Sequence, residues 1–291
     1  MCKLPRIIFM LAATLLMSEP VRAQDASNYT VKPIGGVVGR TLANHTADII
    51  SVFDQGAVCD GSSHPLSSYY GSLAAAQAVY PFVTSLSSQV DWAALQSAIN
   101  LAQSRSGATV LVPYGNCQID NQVTITANGV QIQGGSRQTI LTFTSQTADD
   151  FKIGYQAGQI ANIKFADLYI NHTQKHVAGA TGTALNAKNI SELEVNNLII
   201  DHGYNGILLQ QVNDIQVDHV NINDHKGYGV YLYANPAASE RSDGLVLSNV
   251  VTNGFFNGQQ GILIDGAVNS VRCFTCVLLQ EERTRHSKYS S

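Results

Sequence analysis

The feature that most constrains this chain is a short apolar pattern that recurs between residues 163 and 278. In each copy two apolar residues stand two positions apart, a two-residue step follows, and usually two more apolar residues stand two apart. Alternation with a period of two turns one side of a strand toward a core. Each copy therefore predicts two short strands joined by a tight corner. The copies begin at Ile163, Leu193, Ile215, Leu245 and Val271.

The second position of the step predicts the geometry of this corner. It holds Asp167, Asn197, His219 and Asn249 in the first four copies. Asn and Asp tolerate the left-handed backbone conformation that a tight corner requires. We therefore interpret His219 as a corner residue and not as part of a site.

A third strand precedes each two-strand unit, and its inward-facing pairs also align. They are Phe151 with Ile153, Leu185 with Ala187, Ile207 with Leu209, Val230 with Leu232, and Ile262 with Ile264. Stacking three-stranded coils about 4.8 Å apart by parallel pairing forms a parallel β-helix. The alternative, a β-sandwich, needs hairpin turns and has no phase-locked repeat. We predict an all-β fold, a right-handed single-stranded parallel β-helix.

The N-terminal residues are typical of a signal peptide. Lys3 and Arg6 precede the apolar stretch 7–17, and Val21 and Ala23 supply small residues for cleavage. Eleven apolar residues are too few to span about 30 Å of hydrocarbon. We expect a secreted or periplasmic protein with no membrane association after cleavage. The net charge of −4 gives no basic face for a nucleic-acid partner, and the low charged fraction of 13% argues against disorder.

The chain divides into four segments. They are a signal peptide (1–23), an irregular arm (24–50), the β-helix domain (51–278) and a charged tail (279–291). The tail has little apolar material for a cap, which raises the alternative of a truncated chain.

Four cysteines remain after cleavage. They are Cys59, Cys117, Cys273 and Cys276, and they allow three pairings that the sequence does not decide between. In an oxidising compartment Cys59 can pair with Cys117, because both lie near the N-terminal end of the fold. Cys273 and Cys276 have CxxC spacing but no βαβ context, so we interpret them as core positions of the repeat.

Three N-terminal motifs carry a family resemblance. Residues 53–61 resemble the D-x-G-A-x-x-D-G opening of pectate-lyase-superfamily proteins, residues 91–99 resemble that family's D-T-A-A-I-Q-A-A-I helix, and residues 107–115 are similar to its G-G-T-V-x-x-P-x-G strand. The residues themselves predict this helix, with Asp91 as its N-cap, because Leu95, Ala98, Ile99 and Ala102 share one face. The resemblance implies that the helix caps the N-terminal end of the stack. The segment 62–90 is longer than the family's usual link and is an added loop or a partner surface.

The same resemblance implies a polysaccharide partner without deciding the reaction, because one scaffold carries many chemistries. Pectate lyases, rhamnogalacturonases, polygalacturonase-like hydrolases, sugar epimerases and phage tailspike depolymerases share it. The N-T-D, G-H-G and R-x-K signatures of polygalacturonase-like enzymes are absent from the sequence. No cofactor is indicated, and calcium is unsupported because no loop has a dense Asp pattern.

Candidate site residues follow from the outward positions of the third strand and the loops before it. The predicted rows are Asn186, Leu208, Tyr231, Leu263 and Lys188, Gln210, Tyr233, Asp265. Acid/base groups at a glycosidic oxygen or an acidic ring proton are the chemistry expected there. We predict catalytic roles for Asp201, Asp224, His225 and Asp265, and substrate-binding roles for His202, Lys226, Tyr231 and Tyr233. The alternative is that these loops are solvated turns.

Two functional hypotheses remain open. The first is an exported carbohydrate-active enzyme, a polysaccharide lyase or glycoside hydrolase acting on an acidic or plant/bacterial polysaccharide. The second is a non-catalytic β-helix that binds carbohydrate, as an adhesin-like or tailspike-like surface module or an inactive truncated fragment. A tailspike-like protein would be a homotrimer.

Overall fold

The computed structural model describes residues 30–31, 40–41, 48–145, 147–155, 158–173, 181–254 and 261–280. The chain separates into two compact units, residues 1–46 and 47–291. In the first unit Thr30–Val31 pairs antiparallel with Arg40–Thr41. The predicted signal peptide, most of the arm and the tail beyond Gln280 lie outside the described residues, so those segments remain predictions.

The larger unit consists almost entirely of parallel strands. Its strands are Ile49–Ser51, Ala108–Val112, Gly115–Ile119, Val123–Ile125, Val130–Gly134, Thr139–Phe143, Phe151–Gly154, Ile160–His172, Thr183–Asp201, Asn205–His225, Val230–Ala234, Asp243–Gly254, Ile262–Gly266, Val271–Phe274 and Val277–Gln280. Every ladder between these strands is parallel. The long strands turn corners, so that one strand contributes to more than one sheet.

Three sheets result, one for each strand position of the coil. The first sheet contains the file Ile163, Leu193, Ile215, Leu245 and Val271, which pair in that order. The second sheet contains residues 168–172, 198–201 and 220–223, and the third contains residues 183–188, 205–210 and 230–234. Leu193 and Ile215 are no more than 1% exposed. The predicted all-β parallel β-helix is confirmed, and the β-sandwich alternative is excluded.

The predicted corner between the first and second sheets has the expected backbone. The φ angles are 57° at Asp167, 55° at Asn197, 53° at His219 and 52° at Asn249. These left-handed residues stack above one another, and the two asparagines donate to the coil before their own, to its corner residue or to the residue that precedes the corner. The Asn197 amide donates to Asp167, and the Asn249 amide donates to Asp218 over 3.1 Å.

A helix, Val90–Ser104, packs against the first coils and buries Trp92, Leu95 and Ile99. It begins at Val90, with Gln89 as the N-cap, so the predicted cap role of Asp91 is wrong. Asp91 is instead buried at 1% exposure and accepts backbone N–H groups of Val58, Cys59 and Gln118 at 2.7, 3.2 and 2.9 Å. Its carboxylate therefore joins the opening segment to the first full coil.

The segment 62–90 contains a short helix, Leu73–Val79, whose N-cap Ser72 accepts the N–H of Ala75 at 3.2 Å. This helix is not predicted from the sequence, because seven residues give too little periodicity. No helix of the described residues is long and apolar enough to cross a membrane.

Two disulfides lie in the larger unit. Cys59 bonds to Cys117, and Cys273 bonds to Cys276. The last described coil leaves inward positions uncovered among the described residues, since Ile264 is 46% and Leu278 is 58% exposed.

Candidate functional site

The outward positions of the second sheet bring acid/base side chains from three consecutive coils together. Asn171 pairs with Asp201, and Asp201 pairs with Asn223, each one coil further along the stack. His202 and Asp224 directly follow the strand residues of the second and third of these coils. We name the group the carboxylate–histidine cluster; its members are Tyr169, Asn171, Asp201, His202, Asn223 and Asp224.

Asp201 is held at both carboxylate oxygens. The Tyr169 hydroxyl donates to Oδ2 over 2.5 Å, and the Asn223 amide donates to Oδ1 over 2.8 Å. Desolvation, followed by the nearby charges of Asp201 and Asp224, raises the pKa of Tyr169 above its ordinary value. The phenol therefore remains a donor at physiological pH, and it fixes the orientation of the Asp201 carboxylate.

His202 bridges the coils on either side of its own. Its Nε2 lies 3.2 Å from Oδ2 of Asp224, and its Nδ1 lies 3.3 Å from Oδ1 of Asn171. The His202 side chain is 9% exposed, whereas Asp224 is 31% exposed and is open to solvent. Both residues have left-handed backbones, with φ of 70° at His202 and 53° at Asp224, and this conformation ends each strand of the second sheet.

The cluster has the groups that acid/base chemistry requires. A carboxylate paired with an imidazole can accept or deliver a proton. A second carboxylate nearby, fixed by two donors, can stabilise positive charge that develops on a sugar ring.

His225, predicted to be catalytic, lies in the core instead. It is 1% exposed, and its Nδ1 lies 3.1 Å from the carbonyl oxygen of Gly227. Its Nε2 has no hydrogen-bond partner among the described residues, and burial lowers the pKa of the ring. The left-handed Asp224 shifts the alternation by one residue, so that His225 faces inward and Asp224 outward. Lys226 follows with its backbone N–H donating to the Gly203 carbonyl over 3.2 Å.

The predicted tyrosines form a separate group on the third sheet. Tyr231 lies 4.9 Å from Tyr228 and 5.9 Å from Tyr233, measured between ring centroids. The Tyr231 hydroxyl donates to Oδ2 of the exposed Asp265 over 3.4 Å. We name Tyr228, Tyr231, Tyr233 and Asp265 the tyrosine cluster. The predicted rows of this sheet are confirmed, since Tyr231 pairs with Leu208 and Leu263, and Tyr233 pairs with Gln210 and Asp265.

The predicted residues are thus divided between two sheets and the core. Tyr169, Asn171 and Asn223 were not predicted as site residues. The alternation of inward and outward positions that gave the rows of the third strand also identifies these three residues as outward-facing in the second sheet. Glu240 was not predicted either, and its carboxylate accepts from Lys188 over 3.1 Å and from Gln210 over 2.8 Å. The Gln210 hydrogen bond is the main cause that lowers the pKa of Glu240. Glu240 lies in the loop insertion 235–242, outside any periodic pattern.

Within the described part of the chain, one group of three metal-ligating side chains lies together: Cys59, Asp91 and Cys117. The two sulfurs form a disulfide, and Asp91 already accepts three backbone N–H groups. This group is structural, because a disulfide leaves no thiolate to bind a metal.

Comparisons with known proteins show what the chain is similar to. No family model matches it, and no curated protein matches it. Among solved structures, the Pseudomonas phage phi297 tailspike gp61 matches with 15% identity and a TM-score of 0.55, over 79% of this chain and 52% of that one. Tailspike protein 3 of bacteriophage CBA120 matches with 11% identity and a TM-score of 0.53, over 89% and 39%.

PfbA, a surface adhesin of Streptococcus pneumoniae, matches with 13% identity and a TM-score of 0.51, over 76% of this chain and 57% of that one. This chain spans about half the length of the phi297 tailspike and less of the CBA120 tailspike. At such low identity the likenesses show the fold alone, and that fold is an all-β parallel β-helix.

Proposed function

We propose that this protein is an exported member of the pectate-lyase superfamily that hydrolyses a polysaccharide at the carboxylate–histidine cluster. The observation that carries the proposal is the imidazole of His202, held 3.2 Å from Asp224 and 3.3 Å from Asn171. The three N-terminal motifs and the capping helix support the superfamily assignment. The solved structures support the scaffold but not the reaction.

In this mechanism the His202–Asp224 pair handles the proton. It protonates the glycosidic oxygen as that bond to the sugar carbon breaks, and it then takes a proton back from the water whose oxygen bonds to the same carbon. Tyr169 and Asn223 donate to Asp201 and fix its orientation, and its carboxylate stabilises the oxocarbenium-like transition state. A pair of carboxylates is the usual requirement for glycoside hydrolysis.

The tyrosine cluster binds the polymer next to this centre. Tyrosine rings offer a flat apolar body with a polar tip, which suits the face of a sugar ring. The connections 202–204 and 226–229 join the second sheet to the third. A polysaccharide that crosses this edge contacts the carboxylate–histidine cluster on one side and Tyr231 and Tyr233 on the other.

The test is an activity screen on purified protein with uronic-acid and neutral polysaccharides. New reducing ends without ultraviolet absorbance indicate hydrolysis, whereas an absorbing unsaturated product indicates a lyase. The variants are Asp224→Asn and His202→Asn, because Asn tolerates the left-handed backbone of both positions. We expect each to lower kcat by about 10²-fold to 10⁴-fold.

The matched control is His219, at the corner between the first and second sheets of the same stack. His219 also has a left-handed backbone, with φ of 53°, and its Nδ1 lies 2.8 Å from Oδ2 of Asp218. His219→Asn therefore removes an equivalent pair outside the cluster, and its activity should match the wild type. Wild-type activity in Asp224→Asn and His202→Asn would rule out this site.

A second candidate function is a non-catalytic carbohydrate-binding module. The likeness to two tailspikes and a surface adhesin favours it, as does the absence of the polygalacturonase-like signatures from the sequence. Such a module would bind polysaccharide and release no product. A tailspike-like assembly would additionally give the mass of a trimer in sedimentation, whereas the hydrolase proposal requires no particular oligomer.

A further inference from the structure

We propose that a groove on the first sheet is a separate glycan-binding site, and that it takes an uncharged stretch of polysaccharide. The groove has a volume of about 300 Å³. The polar residues that line it and enter the argument are Asn162, Lys164, Glu192, Glu194, Asp214 and Gln216. It lies on a different sheet from the carboxylate–histidine cluster and from the tyrosine cluster.

The shape of the groove follows from a repeated backbone feature. Asn162, Glu192 and Asp214 occupy the same place in three successive coils, with φ of 58°, 57° and 54°. These left-handed residues turn the chain within the three long strands, and they line one side of the groove. Two positions further along, Lys164 pairs with Glu194, and Glu194 pairs with Gln216. Two polar rows therefore run along three coils, about 10 Å at the usual strand spacing, so the groove can accept a short stretch of a linear polymer.

The charges of the groove select the ligand. Lys164 Nζ lies 2.8 Å from Oε1 of Glu194, so that cation is already neutralised. Glu192 and Asp214 are exposed, and their carboxylates have no hydrogen bond or ion pair to any described residue. Carboxylates and amides accept and donate hydrogen bonds to sugar hydroxyls, whereas unpaired carboxylates repel a uronate polymer. A neutral glycan is therefore favoured over an acidic one.

This inference rests on the polysaccharide ligand of the proposed function but not on cleavage. A groove on another sheet cannot supply acid/base groups at the scissile bond. It would hold a neighbouring part of a long polymer, or a second polymer chain, and so raise the affinity for polymers over short oligosaccharides.

The test compares two polymers that share a backbone and differ in charge, homogalacturonan and its methyl ester, with a neutral β-glucan as a third probe. Binding is measured by affinity electrophoresis and calorimetry. We expect the ester and the glucan to bind about tenfold or more tightly than the acidic form. Gln216→Ala removes a neutral hydrogen-bonding group and should weaken neutral binding about threefold to tenfold.

A second variant separates charge from shape. Glu192→Asn with Asp214→Asn keeps the left-handed backbone and removes both unpaired charges. We expect it to improve binding of the acidic polymer while neutral binding changes little. Asp218→Asn, on the same strand but outside the groove, is the matched control and should behave like the wild type. Melting temperatures show that each variant is folded.

Several results would overturn the inference: equal binding of acidic and neutral polymers, no binding of any probe, or unchanged binding in folded Gln216→Ala. These results are independent of catalysis. If the wild type cleaves polysaccharide and Gln216→Ala binds normally, the groove proposal fails and the hydrolase proposal stands. If neutral polymers bind at the groove and none is cleaved, the hydrolase proposal fails and the groove proposal stands.

Discussion

A buried ion pair between two coils gives the sharpest stability prediction. Asp150 is 1% exposed and His172 is 6% exposed, and Nε2 of His172 lies 2.8 Å from Oδ1 of Asp150. Apart from the His172 imidazole, neither Asp150 oxygen has a hydrogen-bond partner among the described residues. The aromatic ring of Phe143 lies 6.3 Å from the imidazole. The pair therefore depends on its own attraction inside an apolar stack.

His172→Phe removes the cation and leaves the carboxylate. Breaking one partner of a buried pair costs about 3–5 kcal/mol. Burial raises the pKa of Asp150 from 3.8 to about 6 even with the imidazole beside it, so the carboxylate becomes costlier to keep ionised once that imidazole is removed. Replacing both residues with apolar ones of similar volume, as in Asp150→Leu with His172→Phe, should recover most of the loss.

The pH dependence has a definite sign. The folded-state pKa of Asp150 lies above its unfolded value, so the folded protein binds that proton more tightly, and stability falls as pH rises from about 4 through about 6. Desolvation acts to lower the pKa of His172, but the Asp150 charge and hydrogen bond outweigh it and raise that pKa. The stability that His172 contributes in this way is fully present below its unfolded-state pKa of 6.5, and it is lost as pH rises through its folded-state pKa.

Urea unfolding at pH 5 and pH 8 tests these statements. We expect His172→Phe to lose about 3–5 kcal/mol at pH 8 and much less at pH 5, where its buried carboxyl group is protonated. The double apolar variant should show little pH dependence from this pair. An equal loss at both pH values, or a His172→Phe loss below about 1 kcal/mol at pH 8, would refute the reasoning.

Three further predictions concern the scaffold. Asp91→Ala should lower the free energy of unfolding, measured in urea, by about 3 kcal/mol or more, because it leaves three backbone N–H groups without their acceptor. Asp91→Asn should lower it less. Asn197→Val should lower the free energy of unfolding by about 1–2 kcal/mol, because a β-branched residue disfavours the left-handed backbone of this corner. Asn197→Gly should lower it less, and equal losses in the two variants would contradict the backbone explanation. Replacing Cys59 and Cys117 with Ser should cost about 2–4 kcal/mol, and an unchanged melting temperature after their replacement would contradict a stabilising disulfide.

The sequence by itself determined the scaffold. The apolar pairs at Leu193 and Ile215 predict the coil stack because inward alternation within a strand is a local property of the chain. The corner at Asn197 is also local, since only a few residue types accept its backbone. The outward rows that contain Tyr231 and Tyr233 follow from the same alternation once the coils are aligned.

Only the tertiary structure decided which side chains meet. The contact of His202 with both Asn171 and Asp224 joins three coils, and it depends on the register between strands and not on any one strand. The left-handed backbone at Asp224 turns the His225 side chain into the core. The sequence does not indicate this, because a shift of one residue in the inward–outward alternation reverses the face of every side chain that follows. Glu240 reaches Lys188 from a loop insertion without periodicity. Periodicity encodes the inward and outward faces of a strand, whereas side-chain contacts between coils depend on the stacking itself.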